Sequence, residues 1–201
     1  VVVLLYSMTV EPYASSLEKI RLKAGITRYD CRMLFQENYI GANIVHDVID
    51  PRLKTFVQQS AMQLSQPHAK RQSCFRFPGP MPITVERHHV TKLRATGLQM
   101  TPKADGFRVL LVFLRYFIDD SRKQLCMLLH RDGSCQLIMQ HTNPQVYDNG
   151  GSVFDAELIT LNDRQTVQLL LFDSYAYRGV CLTSLPLNKR LSVVNRLTTQ
   201  T

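Results

Sequence analysis

Residues 103–108 read K-x-D-G-x-R and bring together side chains that can do chemistry. A lysine such as Lys103 attacks an electrophile only after losing its proton, and burial or a nearby positive charge such as Arg108 lowers its pKa enough for this. Gly106 lets the backbone turn tightly and approach a ligand, and the Arg108 guanidinium can donate several hydrogen bonds to phosphate oxygens. The alternative is a surface hairpin in which Asp105 and Gly106 only form a turn and both basic side chains are solvated.

Three other segments place polar or aromatic residues beside apolar runs. Residues 154–159 read F-D-A-E-L-I, so Glu157 can offer a carboxylate to a divalent cation or to sugar hydroxyls. Residues 169–173 form an apolar run that ends in F-D, and residues 77–82 read F-P-G-P-M-P. The alternatives are a glutamate that faces water and a phenylalanine that belongs to the core.

In their order along the chain, these segments resemble the motifs of the covalent nucleotidyltransferases, the superfamily of mRNA capping guanylyltransferases and ATP-dependent DNA and RNA ligases. The F-P-G-x-x-P lead-in and the run L-P-x-x-x-R at residues 185–190 resemble the capping branch in particular. The resemblance covers residues 75–195. Ala156 departs from it, because the family has glycine there, and the added methyl group is expected to crowd the approach of a ligand.

The resemblance implies covalent catalysis. Lys103 would attack the α-phosphate of GTP, carry GMP as a lysyl phosphoramidate and pass it to the 5′-diphosphate end of an RNA. Phe172 would pack against the purine base, and Tyr175 and Tyr177 are further candidates for stacking. The implied nucleotide-binding residues are Thr101, Arg108, Glu157 and Phe172, and the implied ligands of Mg²⁺ or Mn²⁺ are Glu157 and Asp173.

Some motifs of the family are not found in residues 191–201. The family continues with an E-G-hydrophobic strand, a K-x-K strand whose lysines grip the phosphates, and an OB-fold. We therefore expect either a part of a larger capping protein or complex that supplies these elements, or a non-catalytic module of a capping or polymerase assembly. An ATP-dependent polynucleotide ligase is the third hypothesis, against which the F-P-G-x-x-P lead-in argues.

Composition indicates a basic protein with a polyanionic partner. The 201 residues carry a formal charge of +8 and 45% hydrophobic residues, enough for one domain with a core. Its five cysteines lack C-x-x-C spacing, which argues against a disulfide framework or a zinc site and predicts a reducing compartment. We expect the nucleus or the cytoplasm, with a cytoplasmic virus as a further source, and no membrane segment.

The expected fold is α+β, with mainly antiparallel sheets and flanking helices. This is the architecture of the family's nucleotidyltransferase domain, here expected to be truncated before the OB-fold. We assign residues 75–201 to a partial nucleotidyltransferase domain. Residues 1–74 form an N-terminal lead-in without an assignment.

Local signals predict the individual elements. Asp50 followed by Pro51 predicts the start of a helix that continues to residue 64. A capping-box spacing predicts a helix at residues 16–24, and Asp132 followed by Gly133 favours a hairpin with a type I′ turn. Strands are predicted at residues 1–12, 109–113, 125–130, 136–140, 153–160 and 166–172.

Overall fold

The computed structural model describes residues 4–6, 35–40, 43–68, 74–80, 84, 86–96, 104–118, 121–138, 144–160 and 167–199. Over these residues, the strands are β1 (Leu4–Tyr6), β2 (Phe35–Ile40), β3 (Asn43–Val48), β4 (Phe107–Ile118), β5 (Ser121–His130), β6 (Cys135–Ile138), β7 (Ser152–Thr160), β8 (Val167–Tyr177) and β9 (Val180–Cys181). The helices are α1 (Pro51–Ser65), α2 (Arg87–Thr96) and α3 (Leu187–Thr199), with a 3-10 segment at Pro144–Gly150.

The nine strands form one antiparallel sheet. Its order is β1-β8-β7-β4-β5-β6-β3-β2, and β9 pairs with β8. This confirms the α+β fold with mainly antiparallel pairing. Strands from residues 1–74 complete both edges, since β1 pairs with β8 and β3 pairs with β6. The division drawn at residue 74 therefore does not separate two sheets, because the backbone groups of the sheet on one side find their partners on the other.

The central strand β4 is buried on both faces. Leu110, Val112 and Leu114 pack on one face, in the core cluster that α1 covers. Val109, Leu111 and Phe113 pack on the other face, in a cluster that includes residues of α3. A strand buried on both sides is continuously apolar in sequence, which is why residues 109–113 predicted a strand without alternation.

Helix α1 confirms the helix predicted from its start signal. The Asp50 side chain accepts a hydrogen bond from the backbone N–H of Leu53 at 2.6 Å, and Pro51 occupies the first helical turn. Leu53, Val57 and Ala61 are buried at helical spacing, so one face of the helix closes the core over the sheet. The N-cap and the apolar stripe act together to fix where this helix begins and how it is rotated.

Three local features differ from the sequence predictions or lie outside their reach. The turn between β5 and β6 has a positive φ at Gly133 but not at Asp132, so it is not type I′. Asp132 Oδ1 instead accepts hydrogen bonds from the backbone and side chain of Ser134, which makes a wider loop. Helices α2 and α3 were not predicted. The helix predicted at residues 16–24 lies outside the described residues.

Among the described residues, no helix has the length and apolar character needed to span a membrane.

Candidate active site

Arg108 is the centre of the candidate active site. It is the second residue of β4, and its guanidinium reaches Asp155 on the neighbouring strand β7. Nε donates to Asp155 Oδ1 at 3.0 Å and Nη2 donates to Oδ2 at 2.5 Å, so the ion pair is bidentate. Nη1 donates to the carbonyl oxygen of Pro80 at 2.6 Å. Three segments of the chain thus meet at one guanidinium.

A third side chain completes this cluster. Arg108 Nη2 also donates to the Tyr175 hydroxyl at 3.2 Å, and that hydroxyl donates to Asp155 Oδ2. Tyr175 lies on β8 where the pairing with β7 shifts register, and it is buried. An irregularity in a strand re-aims its side chains. The expected stacking role of Tyr175 is therefore replaced in this structure by a hydrogen-bonding role.

The electrostatics of the cluster follow from burial and pairing. The hydrogen bond to Asp155 raises the pKa of Arg108, and burial raises the pKa of the Tyr175 hydroxyl. Burial also raises the pKa of Asp155, which is only 1% exposed, while the hydrogen bonds from Arg108 and Tyr175 act in the opposite direction. Arg108 is therefore held as a cation at a fixed position at the end of the hexapeptide, in an ion pair with Asp155.

Aromatic side chains surround the Arg108 guanidinium. Its Cζ lies 5.3 Å from the centroid of the Phe77 ring and 5.8 Å from that of Phe172, within the range of cation–π attraction. The backbone of Gly79 comes so close that a Cβ there would lie 2.6 Å from Arg108 Nη2 and 2.9 Å from the Tyr175 hydroxyl. The F-P-G lead-in therefore packs directly against the hexapeptide motif and against the F-D strand.

Glu157 holds the end of the hexapeptide loop. Its Oε1 accepts a hydrogen bond from the backbone N–H of Gly106 at 3.0 Å. In the register of β4 with β7, Glu157 is the residue opposite Arg108. A Cβ on Gly106 would lie 2.4 Å from the carbonyl oxygen of Leu158, so only glycine allows this approach. Lys103 and Thr101 lie outside the described residues, and their roles stay predictions.

Asp173 is tied to the L-P-x-x-x-R run. Arg190 Nε donates to Oδ1 at 2.7 Å and Nη2 donates to Oδ2 at 2.9 Å. Arg190 Nη1 also donates to the carbonyl oxygen of Leu185 at 2.6 Å, and the pairing with Asp173 raises the pKa of Arg190. The F-D strand and the run at residues 185–190 are thus joined by one bidentate ion pair.

The two carboxylates predicted to bind a metal ion differ in how well they fit this role. Among the residues described above, no group of three or more histidine, cysteine, aspartate or glutamate side chains could hold an ion by itself. Mg²⁺ is commonly held by one or two carboxylates together with substrate phosphates and water. Glu157 is partly exposed and fits one such ligand, whereas a cation at Asp173 would compete with the Arg190 guanidinium. Both metal roles stay predictions.

The methyl group of Ala156 does not face this site. Ala156 is fully buried in the core cluster under α3, on the opposite side of β7 from the Arg108–Asp155 pair. The expectation that it crowds a ligand was wrong, because successive side chains of a strand point to opposite faces of the sheet.

Sequence reasoning missed one important side chain of the site, that of Asp155. Asp155 stands within an apolar run, where a charge must be paired, and this was the available signal for its role. Phe107 is 75% exposed, but as the residue before Arg108 on β4 it faces the opposite side of the sheet and is not part of the site.

Known proteins provide an independent comparison. A family profile described as "mRNA capping enzyme, catalytic domain" matches residues 36–200. The chain belongs to this family. The match begins in β2 and ends one residue after α3, so it spans the sheet on both sides of the Arg108–Asp155 pair.

Among similar proteins are subunits of fungal capping enzymes. The mRNA-capping enzyme subunit alpha of Saccharomyces cerevisiae is 27% identical over 131 residues, which are 58% of this chain and 28% of that protein. The subunit of the same name from Neurospora crassa is 26% identical over 161 residues, 73% of this chain and 39% of that protein. The one from Yarrowia lipolytica is 30% identical over 129 residues, 59% of this chain and 32% of that protein. This capping-family chain thus matches less than half of each relative.

Proposed function

We propose that this chain is the nucleotidyltransferase domain of an mRNA guanylyltransferase. The observation that supports this best is the meeting of four motif segments at Arg108, whose partners and neighbours are Pro80, Asp155, Phe172 and Tyr175. These segments lie far apart in sequence, yet they meet at one guanidinium that follows Lys103 by five positions in the chain. A site that binds a nucleotide and transfers part of it needs distant segments to be positioned together in this way.

In the proposed reaction, the deprotonated Nζ of Lys103 attacks the α-phosphorus of GTP. A P–N bond forms, the bond from that phosphorus to the bridging oxygen breaks, and pyrophosphate leaves. A β-phosphate oxygen of the 5′-diphosphate RNA then attacks the same phosphorus, the P–N bond breaks, and the lysine nitrogen takes up a proton. The product is RNA that carries GMP at its 5′ end.

Described residues support this chemistry by position and charge. Arg108, held in place by Asp155, would offer a positioned guanidinium to phosphate oxygens, and a lysine that came close to it would have a lowered pKa. Glu157 fixes the loop through Gly106, and Phe172 offers an aromatic face for the purine. A bound Mg²⁺ or Mn²⁺ ion, for which Glu157 is the fitting carboxylate, would stabilise charge on the transferred phosphoryl group.

We further propose that other parts of a capping protein or complex complete the site. The relatives named above are called subunits, and this chain matches less than half of each. The K-x-K lysines and the OB-fold expected from the family would come from such parts. We place the reaction in the nucleus or the cytoplasm, in line with the five cysteines that lack disulfide-type spacing.

Covalent labelling tests the proposal. The protein is incubated with GTP or ATP labelled on the α-phosphate and with Mn²⁺, then denatured and separated on a gel. We expect GTP label in the wild type and in Lys123→Ala, a control on β5, and none in Lys103→Ala. Label from ATP alone would move the assignment to a ligase. The absence of label from both nucleotides in folded protein would support a non-catalytic module.

A further inference from the structure

A groove of about 840 Å³ opens at the end of β4 that lies away from Arg108. β7 pairs with β4 only as far as Phe113, so the remainder of β4 extends beyond it. The groove lies between this extension, α1, the 3-10 segment and the turn from β8 to β9. Arg115 is seven residues from Arg108, about 23 Å along a strand. The charged and aromatic residues that line the groove and carry the argument are Arg115, Phe117, Arg122, Asp148 and Arg178.

The charges of the groove are mostly positive. Asp148 is the one carboxylate in its lining, and it pairs with two arginines. Arg115 Nη2 lies 2.9 Å from Oδ1, and Arg178 Nη2 lies 3.5 Å from Oδ2. Asp148 therefore holds two guanidinium groups side by side while neutralising only one of them. Arg122 adds a third positive charge to the lining.

The groove also presents an aromatic face. Phe117 is 63% exposed, although an apolar ring of this size is usually buried. The guanidinium carbon of Arg122 lies 5.4 Å from its ring centroid. An exposed ring with an arginine against it is the combination on which single-stranded nucleic acids stack their bases while nearby cations hold the backbone.

The backbone at Arg178 provides an independent observation. The two-residue turn between β8 and β9 has φ of 51° at Arg178 and 75° at Gly179, and turns of this kind favour Asn-Gly. Two hydrogen bonds hold it, from Arg178 N–H to Ser152 Oγ at 3.0 Å and from Gly179 N–H to the Gly151 carbonyl oxygen at 2.8 Å. An arginine is thus kept in a left-handed conformation that asparagine adopts more easily, which suggests a role for its side chain.

We propose that this groove binds single-stranded RNA, with Arg122 and Arg178 on backbone phosphates and a base stacked on Phe117. Three arginines facing one carboxylate suit a polyanion, and the exposed ring favours RNA over a phosphorylated peptide, which would need only the cations. The choice of RNA rests on the proposed function, since the RNA whose 5′ end enters the site must also be held along its length. The shape and the charges of the groove are observed in the structure and do not depend on the proposed function.

Fluorescence anisotropy with a labelled single-stranded oligouridylate that ends in a 5′-hydroxyl tests the proposal. This RNA cannot accept GMP, so binding is measured apart from transfer. We expect Arg122→Glu/Arg178→Glu to raise Kd at least about tenfold and to lower the slope of log K against log salt by about 0.7 for each lost phosphate contact. Phe117→Ala should raise Kd about tenfold, as for the loss of one stacked base.

Two further variants separate the groove from general charge and from stability. Arg131→Glu makes the same change of charge away from the groove, because Arg131 follows the last residue of β5 whereas Arg122 lies near its start. This variant should leave Kd within about twofold of the wild type. Arg178→Asn installs the favoured turn residue, so it should keep or raise Tm while weakening RNA binding. Equal weakening by Arg131→Glu, or no effect of Phe117→Ala, would overturn the proposal. Displacement of the RNA by a serine-phosphorylated peptide at equal concentration would also overturn it.

The same variants distinguish failure of the groove from failure of the proposed enzyme activity. Labelling with GTP needs no RNA, so the groove variants should label as the wild type does. If the groove variants take label from GTP and bind RNA as the wild type does, the proposal that the groove binds RNA is refuted and the enzyme activity is not. If the wild type takes no label from GTP but binds RNA, and the groove variants lose that binding, the enzyme activity alone is refuted.

Discussion

Arg108 and Asp155 form a bidentate ion pair across β4 and β7, 47 residues apart in sequence, with the carboxylate almost entirely removed from water. Tyr175 bridges the two groups and the Pro80 carbonyl accepts from the same guanidinium. The pair therefore links the stability of the sheet to the position of the guanidinium at which the motif segments meet. This makes its contribution measurable both by unfolding and by labelling.

Removal of Asp155 should destabilise the protein strongly. Asp155→Ala leaves a partly buried guanidinium without its partner, and breaking a buried pair in this way costs about 3–5 kcal/mol. Urea unfolding measures the loss, with Asp155→Asn as a variant that retains one acceptor oxygen. The matched control is Asp148→Ala, whose pairs are more exposed and should contribute below about 1 kcal/mol. Equal losses of unfolding free energy in the two alanine variants would show that the buried pair contributes no more to stability than the exposed pairs do.

A methyl group at Gly79 should displace Arg108. Its Cβ would lie 2.6 Å from Arg108 Nη2 and 2.8 Å from the Phe77 ring, so Gly79→Ala should cost about 1–3 kcal/mol and reduce GTP labelling. Without this clash, the substitution would stabilise the protein slightly by restricting the unfolded chain. Thermal unfolding and labelling measure both effects. Pro80→Ala is the control, because it retains the carbonyl oxygen that accepts from Arg108.

The two functions expected of Glu157 can be separated. Glu157→Gln retains an acceptor for the Gly106 N–H but loses the charge, whereas Glu157→Ala loses both. We expect both variants to reduce GTP labelling at least about tenfold, and only the alanine variant to lose about 1 kcal/mol of stability. Labelling is compared across a range of Mn²⁺ concentrations. A glutamine variant that labels normally would rule out a need for the carboxylate charge.

Asp132 should make stability depend on pH in the acid range. The hydrogen bonds from Ser134 lower the pKa of Asp132 below its ordinary value of 3.8. The unfolded chain therefore binds this proton more readily, so the contribution is present above about pH 4 and is lost as pH falls through the pKa of the folded state.

Ser134→Ala should reduce that acid dependence, as measured by urea unfolding between about pH 3 and 6. The control is Ser192→Ala, because the Ser192 hydroxyl donates to the Lys189 carbonyl oxygen and touches no carboxylate. An unchanged pH slope in Ser134→Ala would mean that the hydrogen bond from the Ser134 hydroxyl does not perturb Asp132, since the backbone N–H of residue 134 still donates in this variant.

Local sequence determined much of the fold. The Asp50 cap and the spacing of Leu53, Val57 and Ala61 predicted α1, since capping and amphipathicity act over a few residues. The apolar run after Arg108 predicted β4, and the motif order predicted the family that the comparisons show. The turn at Asp132 was located correctly but given the wrong type, because the side-chain bonds from Ser134 compete with the preferred backbone geometry.

Only the tertiary structure decided which residues work together. The sequence marked Arg108 and Glu157, but it could not reveal that Asp155 and Tyr175 hold Arg108, because these contacts depend on strand pairing and on a register shift in β8. Likewise, Asp173 was marked for a metal ion, and its pairing with Arg190 depends on where α3 begins. Sequence patterns report the period of a single element, whereas partners across a sheet are set by register, and a shift of one residue turns a side chain to the opposite face.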